Sequence, residues 1–227
     1  MNQILLNSIS FQPDISFLME KFRLPQDSPH IEDLKALVAE AGSIGRPKVL
    51  YGIGYVEIRG EDFVVIDVAR FKSRVLRVNL EKAHRVFPYL ATGGRELDKW
   101  ASSLEDVVHR FWADALCEMA LGTALQALNS HIQERYLLNR FSSMSPGSLG
   151  DWPIEEQIPL FALLGNTAET VGVTLTESLL MVPLKSVSGI LFPSEEGFES
   201  CQLCPRDNCP GRRTPYDKDL YKKRYQL

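Results

Sequence analysis

Ser186-Val187-Ser188-Gly189-Ile190-Leu191-Phe192 closes a segment that opens at Ser145-Pro146-Gly147-Ser148-Leu149-Gly150-Asp151-Trp152-Pro153. Between them lie Leu175-Thr176-Glu177-Ser178 and Met181-Val182-Pro183. The closing run is rich in β-branched and aromatic residues, which fit a pleated, half-buried surface, so it predicts a strand over 186–192. A second strand is predicted over 174–182, and the pair reads as a hairpin. Its small hydroxyl residues and glycine leave a surface on which a flat group can pack. The opening run belongs to a Ser-, Pro- and Gly-rich stretch over 141–152 that reads as a loop. Pro153 then fits the first turn of a helix, Gly165 ends that helix, and Pro159 is a candidate kink.

Upstream, an apolar stretch over 96–138 predicts a long helix, interrupted near Ser102-Ser103. Apolar residues cover most of its circumference, the mark of a central, buried helix. Strands are predicted at 49–51, 55–58, 63–66 and 75–78, with a hairpin turn at Gly60-Glu61-Asp62. Another is predicted at 87–92, and Pro88 confines it to a sheet edge. Gly52-x-Gly54 lacks the third glycine and the following helix of a dinucleotide fingerprint. Residues 2–10 suggest an edge strand, and helices are expected over 14–23, capped by Asp14, and over 30–41. This order lacks regular βαβ alternation. The predicted fold is therefore α+β, a largely antiparallel twisted sheet with a long central helix. The domain is expected over residues 1–195, with a cysteine-containing basic tail over 196–227.

The 227 residues are 44% hydrophobic and 24% charged, enough apolar content for a core without disulfides. No run approaches the ~20 apolar residues that cross a bilayer, and the N-terminus lacks a signal-peptide pattern. A cytoplasmic protein without a membrane span is expected. The net charge of -4 argues against nucleic-acid binding. It is unevenly spread: residues 201–227 carry seven Lys/Arg and three Asp/Glu. That basic tail suits an acidic partner or is a solvated terminus.

Three groups of residues have the chemistry of sites. Asp114, Glu118 and Gly122 are spaced i, i+4, i+8 along one line of the long helix. They form either a pocket wall facing a cation or a plain solvent face. In the loop, Pro146, Gly147 and Ser148 allow close backbone approach to a ligand. The following helix N-terminus offers N–H groups to an anion, and Arg140 just upstream adds a bidentate grip; a plain turn is the alternative. Cys201, Cys204 and Cys209 fall within nine residues. In a reducing compartment such clustering favours a soft metal site, an iron–sulfur cluster or zinc, over disulfides; free or partly paired thiols are the alternative. Cys117, mid-helix among apolar residues, reads as a core filler.

These blocks resemble the reactivation domain of cobalamin-dependent methionine synthase, over roughly residues 85–192. The matching features, in order, are Arg140, Pro146-Gly147, Leu175-Thr176-Glu177-Ser178, Met181, Pro183 and Ser186-Val187-Ser188-Gly189. Asp151-Trp152-Pro153 resembles stand-alone members of the family. The resemblance implies binding of S-adenosylmethionine, presented as methyl donor to an inactive cobalamin while a separate donor supplies an electron. Arg140 would meet the ligand's carboxylate and the Asp114/Glu118 row its ammonium group, with Glu177, Ser188 and Gly189 lining the site. The chain departs from the family pattern at Ser148, where a tyrosine is usual, and at Ile190-Leu191, where the family has Trp-Tyr. Three extra residues also separate Arg140 from Gly147.

The implied function is an accessory role in reductive reactivation of a corrinoid protein, such as a methionine synthase lacking its own reactivation domain, and so in methionine biosynthesis. The cobalamin would belong to the partner, since no Asp-x-His-x-x-Gly cobalamin-ligand motif occurs here. An acidic electron carrier is a further expected partner for the basic tail. The alternative is a non-catalytic module that binds a corrinoid protein, its tail stapled by a metal.

Overall fold

The computed structural model describes residues 1–195, 197–209 and 211–226; Glu196, Pro210 and Leu227, all in the expected tail, lie outside the described residues. The fold is built on an antiparallel sheet of seven strands among the described residues. These are β1 (Asn2–Leu6), β2 (Lys48–Arg59), β3 (Phe63–Ile66), β4 (Ala69–Lys72), β5 (Arg85–Thr92), β6 (Phe141–Met144) and, after two further short strands, β9 (Ser186–Pro193). The spatial order is β4-β3-β2-β5-β9-β6, with β1 also pairing with β2. The short strands β7 (Thr174–Leu175) and β8 (Met181–Val182) form a separate two-stranded sheet.

Side chains alternate across the sheet because the strand period is two. On β5, Val86 and Leu90 enter one core, whereas Phe87, Tyr89 and Ala91 enter the other. On β9, Ile190 and Phe192 face the first core and Leu191 the second. Helices α3 (Arg74–Asn79) and α6 (Gln157–Leu164) cover the first face. The long helix α5 (Val107–Tyr136) lies on the second through Ala124, Leu128 and Ile132. Its N-terminal half packs instead against α1 (Ile15–Phe22), α2 (Ile31–Ile44) and α4 (Arg95–Ser103) in a third cluster around Trp112, Leu116 and Ala120. The α+β class, the antiparallel sheet and the long helix agree with the sequence reading, and the interruption of the helix falls just after Ser103.

Several elements differ, each for a physical reason. The 75–78 strand is instead α3, because its caps are supplied from afar: Ser73 Oγ accepts from the Leu76 N–H (2.9 Å) and Asp151 Oδ2 from the Val75 N–H (2.9 Å). The predicted edge strand at 87–92 is β5, which is central, between β2 and β9. Its pairing with β2 is interrupted between Tyr51↔Tyr89 and Gly54↔Val86, so the Pro88 lacking an N–H falls in the gap. The two strands at 49–51 and 55–58 are one long β2, paired with β1 along one half and β3 along the other. Part of the 141–152 loop is β6, held to β9 through Phe141↔Pro193 to Met144↔Ile190.

The C-terminal tail is part of the same body. Phe198 and Tyr225 are buried in the first core, with Leu203, Cys204, Leu220 and Tyr221 packed against it. A lone bridge joins Glu199 to Ser143 on β6.

Candidate functional site

Two glycines shape the region where β6, β9 and the following turn meet. Gly147 has φ +81°, a backbone conformation open to glycine. Its N–H donates to the Trp152 carbonyl at 2.7 Å, closing the Ser145–Trp152 turn. Gly189 lies beneath that turn: a Cβ there would run into the Met144 carbonyl oxygen and lie 2.9 Å from Ser145 Oγ. Beside them the Tyr89 hydroxyl hydrogen-bonds with Ser143 Oγ at 2.9 Å. Burial pushes the Tyr89 phenol above its ordinary range, against hydrogen bonds from Ser143 and Ser145. Pro146 is buried, whereas Gly147 and Ser148 are exposed, and Ser148 Oγ donates to the Ser145 carbonyl at 2.6 Å. Four of the expected ligand residues, Pro146, Gly147, Ser148 and Gly189, therefore come together here.

The motif serines on β9 carry the fold. Ser186 Oγ donates to the Pro183 carbonyl (2.7 Å) and is hydrogen-bonded to Thr92 Oγ1 (2.9 Å), while Ser188 Oγ reaches Gln157 Oε1 at 3.4 Å. Both are buried. Ser188 thus adjoins Gly189 but faces α6. Asp151-Trp152 has a similar role: Asp151 caps α3 and Trp152, fully buried, meets Phe71 edge-on.

The other four are dispersed. Asp114 and Glu118 are exposed on α5, and each already has a lysine partner, Lys185 at 2.9 Å and Lys21 at 2.7 Å. Arg140 stands at the far end of β9, its guanidinium 3.4 Å from the Glu195 carbonyl. There it lines a cavity of about 560 Å3 with Val78, Asn79, Lys82 and Ala83, on the α3 face of the sheet. Asp114 and Arg140 thus lie at opposite ends of β9, about 23 Å apart along a strand of this length, and on opposite faces. The fold therefore does not bring Asp114 and Arg140 together. Glu177 sits in the exposed turn between β7 and β8.

Among the described residues, no three His, Cys, Asp or Glu side chains are gathered as metal ligands. Cys201, Cys204 and Cys209 are free and half-buried, so the described arrangement does not fit the expected iron–sulfur or zinc site. The segment is organised by Arg212 instead. Its guanidinium donates to the carbonyls of Cys201 (3.2 Å), Cys204 (3.2 Å), Thr214 (3.3 Å) and Arg206. Nothing in the sequence marked Arg212 beyond its place next to the cysteines. The Arg213 N–H holds the Cys201 thiol below its ordinary range, with the Thr214 N–H and the Arg213 guanidinium adding to it against slight burial. Burial pushes the Cys117 thiol up to about 12, as suits a core residue.

Comparison with known proteins covers the same region. The family described as "Vitamin B12 dependent methionine synthase, activation domain" matches residues 98–208, just under half of the chain. Among solved structures, the "MetH Reactivation Domain bound to AdoHcy" has the same fold, with a TM-score of 0.62 and 16% sequence identity. The likeness covers 88% of this chain and 81% of that one. No curated protein matches the chain. The chain thus resembles the activation domain of vitamin B12-dependent methionine synthase, in sequence over residues 98–208 and in fold over most of its length.

Proposed function

We propose that this chain assists reductive reactivation of a corrinoid protein, such as a cobalamin-dependent methionine synthase, by presenting S-adenosylmethionine to the partner's cobalt. One observation carries the reading: the family match over 98–208 spans α5, the Ser145–Trp152 turn and β9, on the fold of a domain whose structure holds AdoHcy. AdoHcy is what remains of S-adenosylmethionine after methyl transfer. In this reading S-adenosylmethionine supplies the methyl group, an external donor supplies the electron, and the cobalamin stays on the partner.

This chain's part is to bind and orient. The exposed main chain at Gly147 and the Ser148 hydroxyl offer hydrogen bonds to the ligand, and Gly189 lets the turn sit close against β9. Lys222 and Lys223, exposed near the C-terminus, suit an acidic electron carrier. The direct test mixes the full chain with an inactive Co(II) corrinoid protein, a reductant and S-adenosylmethionine. A methylcobalamin spectrum that depends on the chain is expected. Its absence at every chain concentration overturns the reading.

A corrinoid-protein-binding module that presents no methyl donor is the second reading. It is favoured by one observation: Ile190 and Leu191, where the resembled family has aromatic residues, are buried in the two cores and available to no ligand. It predicts partner binding with no heat of AdoHcy binding in calorimetry.

A further inference from the structure

We infer that Cys201 and Cys204 form a dithiol that exchanges with low-molecular-weight disulfides. The two residues stand three apart, Cys201 inside the 3-10 turn Ser200–Leu203 and Cys204 as its C-terminal cap, with the Cys204 N–H donating to the Cys201 carbonyl at 3.3 Å. Three residues of such a turn advance about 6 Å. That lies within the Cα separation of about 4.4–6.8 Å which a disulfide spans.

The turn is held before any bond forms. Glu199 and Gln202 close a reciprocal capping box across it. The Asp217 N–H donates to the Gln202 carbonyl at 2.9 Å, and Arg212 grips the carbonyls of both cysteines.

The two sulfurs differ in surroundings. Cys204 packs against the first core. Cys201 is half-buried and lies outside that core. Cys201 is thus the attacking group and Cys204 the resolving one. The Cys201 thiolate attacks one sulfur of a disulfide such as oxidised glutathione, forming a mixed disulfide and releasing one glutathione thiolate, which takes up a proton. The Cys204 thiol then gives up its proton and attacks Cys201 Sγ, expelling the second glutathione. The protein loses two electrons and two protons; the small disulfide gains both and becomes two thiols.

The test treats the reduced, full-length protein with oxidised glutathione and follows intact mass and the cysteine-containing peptides. The expected product has lost two hydrogens through a Cys201–Cys204 bond and carries no glutathione. Cys204→Ser should stop at a glutathione adduct on Cys201, and Cys209→Ser should behave as wild type. Three results overturn the inference: a persistent adduct on wild type, a bond from either cysteine to Cys209, or protein isolated with metal bound stoichiometrically through these cysteines. None of them bears on the methylcobalamin assay, so the two readings fail independently.

Discussion

At the scale of single residues, the glycines separate those that fix geometry from those that are merely tolerated. Gly189 carries the turn above it, and Gly189→Ala must move the Met144 carbonyl or the Ser145 hydroxyl. A loss of about 1–3 kcal/mol in urea unfolding is expected, the usual range for forced overpacking. Gly122 is the contrast. It sits exposed inside α5 with nothing within 4 Å of where a Cβ would stand, so Gly122→Ala should stabilise by about 1 kcal/mol in the same assay. The sequence marked both glycines, but only the chain brought against each one distinguishes them. Arg212 belongs to this scale as well. Arg212→Ala removes a donor from four carbonyls, of which that of Cys201 keeps the Cys204 N–H, and Arg212→Lys, a point charge without the planar fork, should not restore those bonds. Limited proteolysis should then cut within residues 201–214 well before wild type is cut.

At the scale of elements, helix ends are controlled by carboxylates of two kinds. Asp106 is local: it caps α5 by accepting from the N–H groups of Val108 (2.8 Å) and His109 (2.9 Å). The His109 N–H, with the other groups around it, holds this carboxyl below its ordinary range. A folded-state pKa below the unfolded one gives stability that is present above the unfolded value and is lost as pH falls through the folded value. Asp106→Asn keeps a capping acceptor but removes that dependence. Its thermal midpoint should lie below wild type at neutral pH, and the gap should close in acid below both pKa values. Asp106, next to the predicted interruption of the long helix, could be read as a cap from the sequence. Asp151 could not: it caps α3 across 76 residues, which is why 75–78 looked like a strand.

At the scale of the whole molecule, the C-terminal segment completes the core on the α3 face. Tyr225 is fully buried, its hydroxyl donates to Asn79 Oδ1 at 3.1 Å, and its ring meets Phe198. Tyr225→Ala should cost about 3 kcal/mol, the scale for emptying an aromatic site, and ending the chain at Pro193 should expose the same socket and promote aggregation. Either result would be read by thermal unfolding and light scattering. Unchanged stability in Tyr225→Ala would mean the tail is an appendage after all.

The sequence by itself determined the class, the long helix and its break, the family likeness, and the turn built on Pro146-Gly147. These depend on periodicity, caps and glycines, which act within a few residues. Only the tertiary structure decided that β5 is central, that Asp114 and Arg140 belong to different places, and that the cysteine segment is tied by a guanidinium. Each of those depends on which distant groups arrive beside a residue, and local spacing along the chain carries no record of that.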